Sequence, residues 1–384
     1  MSLHAELAAD LELREAQGLR RRRRLLASPQ RARVRVDGSE FVAFCSNDYL
    51  GLAADPRLTA AARDGLERYG VGAGASHLIL GHSAVHHDLE AALAEFVRLP
   101  RALTFSTGYM ANMGAVSALV GRGDAIFADR LNHASLNDAA LVSRAAFKRY
   151  AHGDLAMLER LLKNTPARRR LVIVDAVFSM DGDIAPVPEL LDLCVRHDAY
   201  LLIDDAHGFG VLGEQGRGTL AHFGIGSDRV IYMATLGKAA GVAGAFVAGS
   251  GELIETLIQN ARTYIYTTAA PPALAQALLA SLEVIGKEDW RRERLRELIT
   301  QLRAGLATAS WPLLPSQTPI QPLMVGDSRQ AMALSEWLAA SGLLVPAIRP
   351  PTVPQGTARL RISLSADHDS ADVQRLVDAL LEVA

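Results

Sequence analysis

Residues 230–249 read VIYMATLGKAAGVAGAFVAG, an aliphatic run of strand length followed by a Gly-containing turn that holds one lysine. Lys238 is one of only four lysines among 40 basic residues; Lys148, Lys163 and Lys287 sit in charged neighbourhoods, whereas Lys238 has glycine, alanine and β-branched neighbours. An ammonium group in such company loses hydration, which lowers its proton affinity and frees the amine as a nucleophile. A lysine that snorkels from a Gly-rich loop to water is the competing reading of this stretch by itself.

Two earlier stretches repeat the pattern of an apolar run ending in a polar turn: LVIVDAVFS and AYLLIDDAHG. Continuous runs of this kind belong to strands buried on both faces. Helical patterns lie between them, in HGDLAMLERLLKN and, after a proline start, in PVPELLDLCVRHD. Strand, helix and strand in succession imply right-handed crossovers, a mostly parallel sheet and an α/β fold. Ligands of such sheets bind at the carboxyl ends of the strands, where Asp175, Asp204, His207, Thr235 and Lys238 all fall. From about Pro271 one long helical pattern, PPALAQALLASLEVIGKEDWRRERLRELITQLRAGL, leads into PIQPLMVG and RLRISLS, which read as strands of a smaller α+β region. The expected division is an N-terminal segment over 1–45, a large domain over 46–285 and a small C-terminal domain over 286–384.

Composition excludes several classes. With 384 residues, 49% hydrophobic and 21% charged, the chain can bury a large core. A net charge of -2 gives no general reason to expect nucleic acid as a partner. The run Arg20–Arg24 is short and reads first as a solvated helix end. The two cysteines, Cys45 and Cys194, are too few for a disulfide framework, which fits a reducing cytoplasm. The amino terminus lacks the apolar core of a secretory signal, and the most apolar stretch, 230–248, is interrupted by Lys238 and glycines, so no membrane association is expected.

Three constellations carry chemistry. In LLIDDAHGFG, Asp204 ends a strand and His207 follows three residues later, so that a carboxylate there can hold a protonated ring nitrogen. A metal at this position lacks a clear set of further ligands, and none is expected. In FSTGYMANMGAVSAL a turn opens a small-residue helix whose free N–H groups at Gly108 and Tyr109 suit a phosphate. In DRLNHASLNDAA, His133 offers a flat imidazole that can stack on a heteroaromatic ring, although a satisfied structural histidine is the plainer reading of it alone.

Taken together, these groups match what pyridoxal 5'-phosphate requires. The segments FCSNDYLGL, TGYMANMGA, DRLNHASLNDA, VFSMDGDIAPVPEL, IDDAHGFGVLGEQGRG and TLGKAAGVAGAFVAG resemble the fold-type I α-oxoamine synthases over about residues 14–370. The resemblance implies a fold-type I, pyridoxal-phosphate-dependent transferase with a large, mostly parallel sheet domain and a smaller C-terminal α+β domain. It implies Lys238 as the Schiff-base lysine, Asp204 as partner of the pyridinium nitrogen and His133 as the stacking residue. Ser179 and His207 become contacts around the phenolic oxygen, and Gly108, Tyr109 and Thr235 the phosphate cup. Thr267 or Thr268, in YIYTTAAPP, becomes a contact to the phosphate of the neighbouring subunit, which implies a homodimer with shared active sites. Asn47, Arg349, Thr352 and one arginine of the run, matched here to Arg21, become substrate contacts.

The segment AIRPPTVPQGTARLRISLSADH resembles the branch of the family that condenses L-alanine with a pimeloyl thioester, carried by acyl carrier protein or coenzyme A, in biotin synthesis. A glycine-using acetyltransferase of the same family is the nearest alternative, and a non-catalytic partner subunit built on the same fold is the alternative of another class. The sequence departs from the family pattern at Asp175, where glutamate is frequent, at Leu236 before Gly-Lys, and at His77 and Leu80 in GAGASHLILGHSAVHH. None of these removes a catalytic group.

Overall fold

The computed structural model describes residues 2–17 and 19–383. Its largest sheet has seven strands: β1 (Arg101–Phe105), β2 (Ala125–Asp129), β3 (Ala146–Tyr150), β4 (Arg170–Asp175), β5 (Tyr200–Asp204), β6 (Val230–Thr235) and β7 (Ala245–Gly249). They lie in the order β1-β7-β6-β5-β4-β2-β3. Only β7 runs against its neighbours, so the other six strands deliver their carboxyl ends to one edge. The aliphatic runs expected as buried parallel strands are β4, β5 and β6, and the helical patterns between them form helices at Leu155–Asn164 and Val187–Arg196. Apolar side chains from both sheet faces go into two packed clusters, one beneath the helices of each face.

Two small sheets complete the chain. Arg33–Val36 and Ser39–Ala43 pair antiparallel, and Ser39–Ala43 also pairs with Leu343–Leu344 from the far end of the sequence. Ile320–Gly326, Ala358–Ser363 and Ala347–Ile348 form the other sheet, an antiparallel one. The long helical pattern after Pro271 is two helices, Pro272–Lys287 and Asp289–Gly305. The break falls at Glu288, whose φ/ψ of -104°/69° is not helical and whose carboxylate takes ion pairs from Arg57 and Arg291. Among the described residues no helix is long and apolar enough to cross a membrane.

Pro56–Tyr69 starts on an Asp55 N-cap and packs against Pro272–Lys287. Gly65 makes this contact possible: a Cβ there would lie 2.8 Å from Ala273 Cα and 3.0 Å from Gln276 Cβ. In an exposed helix Gly→Ala gains about 1 kcal/mol. Overpacking between two helix backbones costs about 1–3 kcal/mol. Gly65→Ala is therefore expected to lower the Tm in thermal denaturation; an unchanged or raised Tm would show that the helices separate at no cost.

Candidate active site

The strand ends meet around two carboxylates. Parallel register sets Asp175 of β4 opposite Asp204 of β5, and both are buried. The loop after β2 is sewn onto β4: Asn132 donates to the Ile173 carbonyl at 2.8 Å and accepts from Asp175 N–H at 3.1 Å. The next residue, His133, donates its backbone N–H to Asp175 Oδ2 at 3.0 Å. The His133 ring caps the helix Ala134–Ser143, with Nδ1 accepting from Ser135 N–H at 3.3 Å. Backbone and ring of His133 are thus fixed independently.

The helix α1 (Gly108–Leu119) begins directly after β1. Its Thr107 N-cap accepts from Met110 N–H, leaving the N–H groups of Gly108 and Tyr109 pointing out of the helix start. One turn further on, buried Asn112 donates to Asp204 Oδ2 at 2.7 Å and to Ser135 Oγ at 2.9 Å. The other oxygen of Asp204 accepts from Ala206 N–H at 3.0 Å. Each carboxylate oxygen retains a lone pair.

A chain of contacts runs from Lys238 away from the sheet. Lys238 Nζ lies 2.9 Å from His207 Nε2, and His207 Nδ1 lies 2.7 Å from Tyr49 Oη. Tyr49 donates to Asn47 Oδ1 at 3.2 Å, and that oxygen also accepts from both terminal nitrogens of Arg361 at 3.3 Å. Burial brings the Lys238 amine down from 10.5 to about 8, with Asp204 and Asp175 opposing the shift and Arg361 adding to it. Burial, reinforced by the charges of Lys238 and Arg361, holds the His207 ring well below the usual imidazole range. Burial also raises Asp175 well above the usual carboxylate range, and the charge of Asp204 adds to that.

Gly108, Tyr109, His133, Ser179, Asp204, His207, Thr235 and Lys238, all marked from sequence, line one cavity of about 210 Å³ together with Ser135 and Asp175. Asn47 is connected to it through Tyr49 and Arg361. The remaining candidates lie elsewhere: Arg21 is exposed beside Arg20 and Arg22, both paired with Glu15; Thr268 bridges Ser76; Thr267, Arg349 and Thr352 are not on the cavity wall. Asn112, Tyr49 and Arg361 went unmarked by sequence reasoning. An asparagine inside an apolar, small-residue helix was the available signal for Asn112; Tyr49 and Arg361 lie inside segments that carry the resemblance, with nothing local to single them out.

The wall chemistry fits pyridoxal 5'-phosphate. Among the described residues, Asp175 Oδ1 is buried without a hydrogen-bond partner, and two adjacent carboxylates face a single lysine. A cationic pyridinium N–H at Asp204 offsets that excess of negative charge, and a phosphate suits the start of α1.

The model of the family "Aminotransferase class I and II" matches residues 39–380. The chain is 64% identical to the 8-amino-7-oxononanoate synthase of Nitrosospira multiformis over 97% of this chain and 94% of that one. It is equally identical to the enzyme of that name from Nitrosomonas europaea, over 99% of both chains. This chain belongs to the aminotransferase class I and II family, on its 8-amino-7-oxononanoate synthase branch. Among solved structures, Sphingomonas wittichii serine palmitoyltransferase superposes on this family member with a TM-score of 0.94 at 31% identity, covering 100% of this chain and 98% of that one. An 8-amino-7-oxononanoate synthase from Francisella tularensis gives 0.79 at 31% identity, covering 89% and 97%. A structure described as SPT with PLP gives 0.92 at 30%, covering 98% and 96%. As in this family generally, the cofactor is pyridoxal 5'-phosphate.

A lysine captures that cofactor only as its neutral amine, and Lys238 is the lysine on the cavity wall. The rate at which cofactor-free protein develops the visible absorbance of the lysine-bound cofactor is expected to rise with pH and to level off above about 8. A midpoint near 10.5, the ordinary lysine value, would show that Nζ is not desolvated.

Proposed function

We propose that this chain catalyses the decarboxylative condensation of L-alanine with a pimeloyl thioester, releasing 8-amino-7-oxononanoate, CO2 and the free carrier thiol. The observation that carries this reading is the convergence of Lys238, Asp204, His133 and the start of α1 on one cavity, in a chain 64% identical to 8-amino-7-oxononanoate synthases. When bound, pyridoxal 5'-phosphate supplies an electron-poor ring that accepts the electron pair left on the alanine Cα.

The residues divide the remaining work. The N–H groups of Gly108 and Tyr109, with Thr235, receive the phosphate, and the His133 imidazole forms the wall for the ring. Asp204, oriented by Asn112 at 2.7 Å, keeps the ring nitrogen protonated. Ser179 and His207 face the phenolic oxygen. Lys238, with a proton affinity near the working pH, takes the proton from Cα and later returns one. Arg349 is the guanidinium for the alanine carboxylate, for which a planar fork is suited. Asn47 and Thr352 contact substrate, and one arginine of the run, Arg21, serves the acyl substrate.

The site is completed in a homodimer, where Thr267 or Thr268 reaches the phosphate of the partner. The strongly exposed apolar side chains of Val71, Ile79 and Leu80 support such a second copy. The setting is cytoplasmic, and the domains divide near residues 45 and 285, the second boundary falling within the helix Pro272–Lys287.

Purified enzyme supplied with pimeloyl thioester is expected to form 8-amino-7-oxononanoate and CO2 from alanine; preference for glycine with a short acyl thioester would replace this reading by the acetyltransferase one. Asp204→Asn is expected to keep the cofactor and lose about a hundredfold or more in kcat, and full turnover in that variant would remove the ring-nitrogen role. Sedimentation should give twice the 41.2 kDa chain mass; a fully active monomer would refute the shared site.

A further inference from the structure

The segment GAGASHLILGHSAVHH, residues 72–87, takes no part in the reaction above. Its backbone makes one wide helical turn at His77–Gly81, in which Gly81 N–H bonds the Ser76 carbonyl five residues back at 2.9 Å. A turn of that width stacks position 77 over position 82, and the Nδ1 atoms of His77 and His82 lie 2.9 Å apart. The next helix, Ala84–Val97, places His86 in its first turn against both. Ring centroids are 5.2 Å apart for His77–His82 and His77–His86 and 5.9 Å for His82–His86. One nitrogen of each ring lies within 4.8 Å of the other two.

We infer that His77, His82 and His86 form a binding site for one imidazole-preferring divalent transition-metal ion of the zinc class, outside the catalytic cavity. A three-histidine set with an open fourth position suits Zn²⁺, with bonds of about 2.1 Å and ligand atoms about 3.4 Å apart. His77 and His82 are half-buried, and their Nδ1 atoms, 2.9 Å apart, separate to that value when an ion enters between them. The set contains no carboxylate, which disfavours Mg²⁺ and Ca²⁺.

The surroundings prepare the rings as ligands. His86 Nε2 donates to the Ala270 carbonyl at 2.8 Å, so its Nδ1 carries the lone pair; that lone pair accepts from the Ser83 N–H at 3.2 Å and meets the Ser83 hydroxyl at 2.9 Å, contacts that a bound ion displaces. A backbone carbonyl on the far nitrogen is the usual outer partner of a metal-bound histidine. His77 is stacked on Tyr264 at 4.9 Å, which fixes its plane. Burial, with the charges of the neighbouring rings, pushes His77 down to about 4 and lowers His82, and burial lowers His86 as well.

The ion would tie the turn to the segment holding Thr267 and Thr268, which already meets it through the Ser76–Thr268 bridge and the Ala269 N–H to Ala75 carbonyl bond at 3.0 Å. This inference is independent of the acyltransferase reading. The test uses untagged holoenzyme, freed of adventitious metal with a chelator, dialysed, and titrated with Zn²⁺ against a chromophoric competitor. One ion per chain is expected, with affinity at least about tenfold weaker in His77→Ala and in His82→Gln and unchanged in His4→Ala. His82 is half-buried, so His82→Gln decides the matter if His77→Ala does not fold. Failure of the parent enzyme to bind, or equal affinity in parent and His82→Gln, overturns the site.

Discussion

Two acidic side chains buried side by side organise this molecule. Asp175 and Asp204 end neighbouring parallel strands in direct register, so pairing β4 with β5 forces the carboxylates together. Burial of such a pair is unfavourable unless donors and cations surround it. The protein meets that demand from three directions: the His133 N–H on Asp175, the Asn112 amide on Asp204, and the Lys238 amine between them and His207. The residues that stabilise the pair surround the cavity proposed to hold the cofactor.

The C-terminal sheet reaches this centre through arginines. Arg361 and Arg359 leave the strand Ala358–Ser363 and bond the loop after β4, Arg361 at the Ser179 carbonyl and Arg359 at the Asp181 carboxylate. Ser316 and Thr318 hold the Gly182 carbonyl of the same loop at 2.9 and 3.0 Å. Through Tyr49 and Asn47, Arg361 also meets the SNDYLG segment near the start of the chain. Three distant parts of the sequence thereby share one hydrogen-bonded wall that continues to His207 and Lys238.

Much of this was legible beforehand. The strands β4, β5 and β6 announced themselves because a strand covered on both faces must be apolar along its whole length. The edge strand β1 and its neighbour β7 lacked that signature: RALTF is short, and AFVAG merges with the glycines after Lys238. The helix break at Glu288 was hidden because periodicity continues across it, and only the ion pairs with Arg57 and Arg291 mark the bend. Nine of the residues marked from sequence line the cavity, Asp175 among them, since strand ends and helix starts can be read from pattern. Asn112, Tyr49 and Arg361 could not be ranked that way, because their roles come from partners 92, 158 and 312 residues away along the chain.

By itself the sequence determined which chemistry the chain can perform: an isolated lysine after an apolar strand, an aspartate at the end of another with a histidine three residues on, a flat imidazole in DRLNHASLNDAA and a phosphate-type helix start. Their types and local settings are properties of short segments. Tertiary structure alone decided how those groups are tuned. Strand register sets the repulsion between Asp175 and Asp204, burial depth sets the Lys238 proton affinity, and the wide turn at His77–Gly81 brings three imidazoles together. Electrostatic energy depends on separation and on exclusion of water, and neither quantity exists until distant segments have packed.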